Sequence, residues 1–259
     1  MVDNLSSVLS GIGPSTLVIV AVMAFIAGVV GGLSGMGGAL VLSPFIAPLI
    51  GVKAVVPVLS VAMLFGQGGR VWVYRDSLSP RIAAGFLLGI IPGTMIGATL
   101  YAAIPPDAVN LLLGMFLIAI VPWRRRAQRR QAFQLQGAGL VLASVGIGIL
   151  AGSTIGVGIL LFPLVMASGL VGAALIATKA LISISIHVTK VALFSSYDLL
   201  PPHLIAIGIC IGAFTVPGAF AARFLFRHIP TYIHTTTIDI LVFLGGLSFL
   251  WNGLRSLIG

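Results

Sequence analysis

The chain has 259 residues, of which 59% are hydrophobic and 7% charged, and its mean hydropathy is +1.19. Soluble domains carry about 25% charged residues, so this composition excludes a soluble globular enzyme, a disordered chain and a nucleic-acid-binding domain. The net charge of +9 comes mainly from eleven arginines gathered in short gaps between apolar runs, the charge bias of a multi-pass membrane protein.

A span needs about 20 apolar residues. In chain order, long apolar runs fall at 14–33, 54–74, 82–103, 108–123, 135–152, 172–195, 203–226 and 234–254. Two shorter runs, 36–50 and 156–170, follow glycine-rich breaks and read as half-helices or hairpin arms. The count is eight segments without them and ten with them. The fold class is an all-α polytopic membrane protein, with residues 1–259 forming one membrane domain. The opening Met1-Val2-Asp3-Asn4 lacks the positive region of a cleavable signal peptide.

Charge in the gaps sets orientation. Arg124, Arg125, Arg126, Arg129 and Arg130 mark a cytoplasmic linker, 124–134, that also meets lipid headgroups. Arg75 and Arg81 place the 75–81 loop on the same side, as do Arg223 and Arg227 for the loop near 228–233. The loops around Pro105-Pro106-Asp107 and Asp198 to Pro202 carry no cation and belong outside; Arg255 runs against the scheme.

The chain repeats itself. Residues 32–44, from Gly32 to Pro44, resemble residues 151–163, from Ala151 to Pro163, at an offset of 119. Pro92-Gly93 matches Pro217-Gly218, and Ile104-Pro105 matches Ile229-Pro230, at an offset of 125. The repeats are thus about 12–123 and 135–254. Equivalent loops differ in charge and so lie on opposite sides, which predicts an inverted repeat with five segments per half. A parallel arrangement of four and four is the alternative.

Each half contains a break. Gly31 to Gly38 holds six Gly or Ser residues among eight, inside an apolar stretch. Glycine disfavours a helix interior by about 1 kcal/mol relative to alanine, so the helix is expected to unwind there. Unwound backbone survives at membrane depth only against protein or a wet cavity. The helix that restarts aims free N–H groups and a positive dipole end at that cavity. Two such ends near the midplane form an anion site, which nominates Ser34, Gly35, Met36, Gly37 and Gly38 with Ser153, Thr154, Gly156, Val157 and Gly158. Isolated glycines such as Gly85, Gly89, Gly93 and Gly97 read instead as close helix packing.

Polar residues inside spans extend the pattern. Gln67, Arg70 and Tyr74 recur at an offset of 120 as His187, Lys190 and Phe194, with Met63 and Ser183 on the same faces. Arg70 and Lys190 would supply charge to an anion, and Gln67 and His187 hydrogen bonds; snorkelling to the interface is the competing role for either cation. Lys179 is either a further site cation or a partner of Asp239. His187 and Asp239 are the groups able to relay a coupling proton. Gly32-Leu33-Ser34-Gly35 also resembles the nucleophile motif of intramembrane serine proteases, with His187 as base. The duplication argues against that dyad, because Ser34 has an equivalent in Ser153. The single Cys210 excludes disulfides and cysteine-based metal sites, and no metal or cofactor is expected.

The sequence resembles the TauE/SafE family of membrane transporters. The resemblance rests on Gly35-Met36-Gly37-Gly38 through Pro44, on the second copy Gly156-Val157-Gly158 through Pro163, and on Ala177-Thr178. The first half departs from the family pattern at Val55-Val56-Pro57-Val58. The resemblance implies transport of sulfur oxyanions such as sulfite, thiosulfate, sulfoacetate or other organosulfonates. The expectation is therefore a non-enzymatic secondary transporter of a small anion in the bacterial cytoplasmic (inner) membrane. Opposite tilting of the halves would give alternating access. Its partners are the substrate, the bilayer and a coupling proton or the membrane potential, with no nucleic acid; the oligomeric state is open, a homodimer included. An anion channel, or a hydrolase using Ser34, are the alternatives.

Overall fold

The computed structural model describes residues 14–32, 38–127, 137–225 and 231–258. These form ten α-helices, and no strand occurs among the described residues. The first half contains α1 (Pro14–Gly32), α2 (Gly38–Ile50), α3 (Val52–Val73), α4 (Pro80–Ala103) and α5 (Pro106–Ala127). The second contains α6 (Ala138–Ser153), α7 (Gly158–Met166), α8 (Gly172–Ser196), α9 (Pro202–Leu225) and α10 (Thr231–Ile258). The ten expected segments are all present. Six helices are long and apolar enough to cross a membrane. At a rise of about 1.5 Å per residue, α2 and α7 reach only about 20 and 14 Å, less than the hydrocarbon core of about 30 Å. Helix α5 runs on to Ala127, so Arg124, Arg125 and Arg126 extend it; residues 128–136 lie outside the described residues.

Equivalent helices run in opposite directions. In the α5–α10 pair, Gly253 faces Leu111 and Asn110, whereas Gly246 faces Gly114 and Ile118. Falling numbers on one helix meet rising numbers on the other, so the two are antiparallel. The turn after α3 meets the start of α8, through Ser79 N–H donating to Thr178 Oγ1 at 3.1 Å. The end of α8 meets the end of α4, where the Tyr197 and Thr99 hydroxyls are 3.0 Å apart. These directions fit five helices per half and an inversion, not four and four.

The closest packing is exchanged between the halves. Helix α4 lies along α6, and α1 along α9. The crossings are equivalent residue by residue. A side chain on Gly93 would strike the Val145 carbonyl and Gly148; one on Gly218 would strike the Phe25 carbonyl and Gly28. Val145 and Gly148 sit 120 positions after Phe25 and Gly28, so the repeat read in the sequence is a repeat of contacts. Gly89 and Gly97 abut α6 in the same way, while Gly85 only brushes Leu140. Glycine lets these backbones approach, and dispersion contacts then hold them where lipid offers no hydrophobic advantage. Prolines 92 and 217 stand one residue before the crossing glycines.

Proline also frees a carbonyl in α3. Pro57 has no N–H to give to the Lys53 carbonyl four residues back. The fully buried Tyr101 hydroxyl donates to that carbonyl instead, at 3.1 Å. Lys53 Nζ in turn donates to the Ala102 carbonyl at 2.9 Å and closes the end of α4. Tyr101 stacks at a tilt on Phe194 of α8, with ring centroids 5.4 Å apart.

Candidate functional site

A cavity of about 610 Å³ lies between the halves. Helices α3 and α8 face each other across it. Ser60, Met63, Gln67 and Arg70 project from α3, and Tyr74 from the residue that caps it, at steps of three and four, which is one helical stripe. Lys179, Ser183, His187 and Lys190 form the matching stripe on α8. Helices α1 and α9 contribute small and apolar residues, among them Gly28, Gly212 and Phe220.

Both restarting helices reach this cavity. Gly38 and Ala39 open α2 at its wall, and Gly156, Val157 and Gly158 lead into α7. Gly156 has φ +77°, and a Cβ there would collide with the Leu40 side chain of α2. Glycine thus allows the second break to turn and to pass close to α2. Ile159 N–H bonds the Gly156 carbonyl, whereas Leu160 and Leu161 N–H bond the Val157 carbonyl. The N–H groups of Gly156, Val157 and Gly158 meet no acceptor among the described residues.

Three cations stand in the wall, and they are bound differently. Lys190 is 1% exposed and donates to the Ala151 and Thr154 carbonyls, 2.8 Å each. These carbonyls end α6, so the lysine closes that helix and faces its negative dipole end. The Phe194 ring lies 6.0 Å from its Nζ. Arg70 is half-buried and donates to Gln67 Oε1 at 3.1 Å, one turn back on its own helix. Lys179 is 5% exposed and has neither a hydrogen bond nor an ion pair among the described residues. Its Nζ lies 3.2 Å from where a Cβ on Gly158 would stand. The described residues that line the cavity include no carboxylate.

Of the residues expected from sequence, Gly38, Gln67, Arg70, Thr154, Gly156, Val157, Gly158, His187 and Lys190 line one cavity. Ser34, Gly35, Met36 and Gly37 lie outside the described residues, and with them the nucleophile of the hydrolase alternative. Ser153 is not in the wall; its hydroxyl turns back to the Ile149 carbonyl at 3.0 Å. The Thr154 hydroxyl likewise bonds back to Leu150, at 2.6 Å. His187 Nδ1 is buried without a partner among the described residues. Asp239 is buried on α10 and is not among the residues that line the cavity.

Lys179 lines the same cavity, although the sequence reading left it between two roles. Its spacing from Ser183 and His187, four and then eight residues, was the available signal. Thr215 and Phe220 on α9 had no such signal, because they reach the cavity only through the exchanged pairing.

Comparison with curated proteins and with solved structures gives no match. Residues 20–249, nearly the whole chain, match the family described as "Sulfite exporter TauE/SafE". Ten helices among the described residues, a glycine-rich break before α7 and a cationic cavity thus sit in a multi-pass transport protein, and the chain belongs to the TauE/SafE sulfite exporter family.

Proposed function

We propose that the protein is a secondary transporter carrying a small anion, of the sulfur-oxyanion or organosulfonate type, across the bacterial cytoplasmic membrane by alternating access. One observation carries the reading: a cavity between inverted halves with Arg70, Lys179 and Lys190 in its wall and no carboxylate among the described lining residues. Cations at membrane depth with no counter-charge beside them are costly, and an anion offsets that cost. Family membership supports the sulfur-oxyanion class. The arginine-bearing end, with Arg75 and Arg81, is the cytoplasmic one. Of the two proton-relay groups expected from sequence, His187 is the one in the cavity wall, which favours it.

On this reading the moving bodies are mixed, rather than the two halves of the sequence. Helix α1 packs closely on α9, and α4 on α6, so each close pair draws one helix from each half. Rocking that keeps these crossings moves mixed bodies around the α3–α8 face.

Uptake of labelled sulfite and thiosulfate into proteoliposomes, with phosphate, chloride and acetate as competitors, tests the reading. Saturable flux that is stimulated by substrate on the far side is expected. Flux without saturation would favour an anion channel, and no flux for any anion from folded protein would overturn both.

A further inference from the structure

We propose that the transported anion docks against the start of α7, ion-paired to Lys179 and hydrogen-bonded by Ser183 and His187, while Lys190 is a positioning residue that shapes the break. This deepens the transporter reading and rests on it.

Two observations converge on the start of α7. The first is backbone: Gly156, Val157 and Gly158 direct N–H groups that meet no acceptor among the described residues. A nine-residue helix follows, and its N-terminus carries partial positive charge. The second is Lys179, which is 95% buried, has no partner among the described residues and stands against Gly158. A cation beside a positive helix end repels it in the empty protein. An anion between them turns both contacts favourable, and its oxygens can take N–H groups and the ammonium together. Ser183 and His187 follow on the same stripe of α8, one and two turns further on. His187 Nδ1 is a buried polar atom without a partner among the described residues. Such a group is costly until something binds it.

Lys190 differs in kind. Both of its bonds go to backbone carbonyls at the end of α6, so its charge is answered by protein. It holds the segment from Ser153 to Gly158 in the shape that presents the free N–H groups. Lys179 and Lys190 therefore divide two tasks that one helix face would otherwise suggest they share.

The test uses the full chain with Cys210→Ser, in proteoliposomes with labelled sulfite. In that background Lys179→Cys should lose about 10- to 100-fold in kcat/KM, the effect of one charge-assisted hydrogen bond. Alkylation with 2-bromoethylamine, which returns an ammonium through a thioether that sulfite does not cleave, should restore most of the flux once excess reagent is removed. Iodoacetamide, which returns no charge, should not. Lys179→Cys with the parent KM, or equal effects of the two reagents, overturns the proposal while the transporter reading stands. Loss of saturable flux in the Cys210→Ser parent overturns that reading instead. Gly158→Ala covers the case in which Lys179→Cys does not fold. Its Cβ would stand 3.2 Å from Lys179 Nζ and push the ammonium aside by a few tenths of an ångström, so KM should rise about two- to threefold with the melting temperature kept; an unchanged KM overturns the proposal.

Discussion

Arg70 and Lys190 occupy equivalent positions on equivalent helices, yet they do unlike work. Lys190 is almost wholly buried and holds two carbonyls at the end of α6. Arg70 is half-buried and, among the described residues, bonds only Gln67, on its own helix. Around them the backbone packing of the halves is matched, down to Gly28 with Thr215 and Gly148 with Ile90. The difference teaches that duplication preserves helix crossings more faithfully than it preserves polar roles. A glycine at a crossing has one way to satisfy its neighbours, namely to be small. A long cation has several, and each half has kept a different one.

That contrast can be broken at the crossings first. Gly148→Val and Gly28→Val should each destabilise the protein by about 3 kcal/mol or more, because the added atoms meet backbone that cannot move aside. Melting of the two variants in detergent should agree; a large gap would end the claim that the crossings are equivalent. Lys190→Met comes next, at about 2 kcal/mol, since two buried carbonyls lose their donor. Lys190→Arg should recover part of that loss in the same assay. Tyr101→Phe should cost about 1 kcal/mol, by returning the Lys53 carbonyl beside Pro57 to an unpaired state. The second half carries Ala177 where the first has Pro57, so it has no matching debt. Arg70→Met should be smallest in stability, below about 1 kcal/mol, because the Gln67 bond lies within one helix and is partly exposed to the cavity. If Arg70→Met melts as early as Lys190→Met, the two cations share a role after all.

Much of this fold was legible in the sequence. Ten apolar segments, the break before α7 and the inversion could be read because hydropathy, glycine clustering and arginine placement are local signals. Pro92-Gly93 and Pro217-Gly218 marked the repeat correctly. What they could not reveal was the partner across each crossing, since α1 meets α9 through residues nearly two hundred positions away. The same limit explains Lys190. Its spacing from His187 was visible, but Ala151 and Thr154 become its acceptors only once α6 ends beside α8. Ser153 misled for a related reason: it aligns with Ser34, yet its hydroxyl is satisfied by its own helix.

The exchanged pairing also governs how the molecule can be made. Helix α1 leaves the ribosome long before α9, which covers its glycine face. Until then α1 must wait in lipid or borrow a surrogate partner, and closure of the bundle is a late, long-range event. A half-chain ending in the arginine-rich linker would hold α1 and α4 without either of their mates. Assembly therefore belongs to the two halves jointly, and two separately expressed halves should need each other in the same membrane to become a bundle.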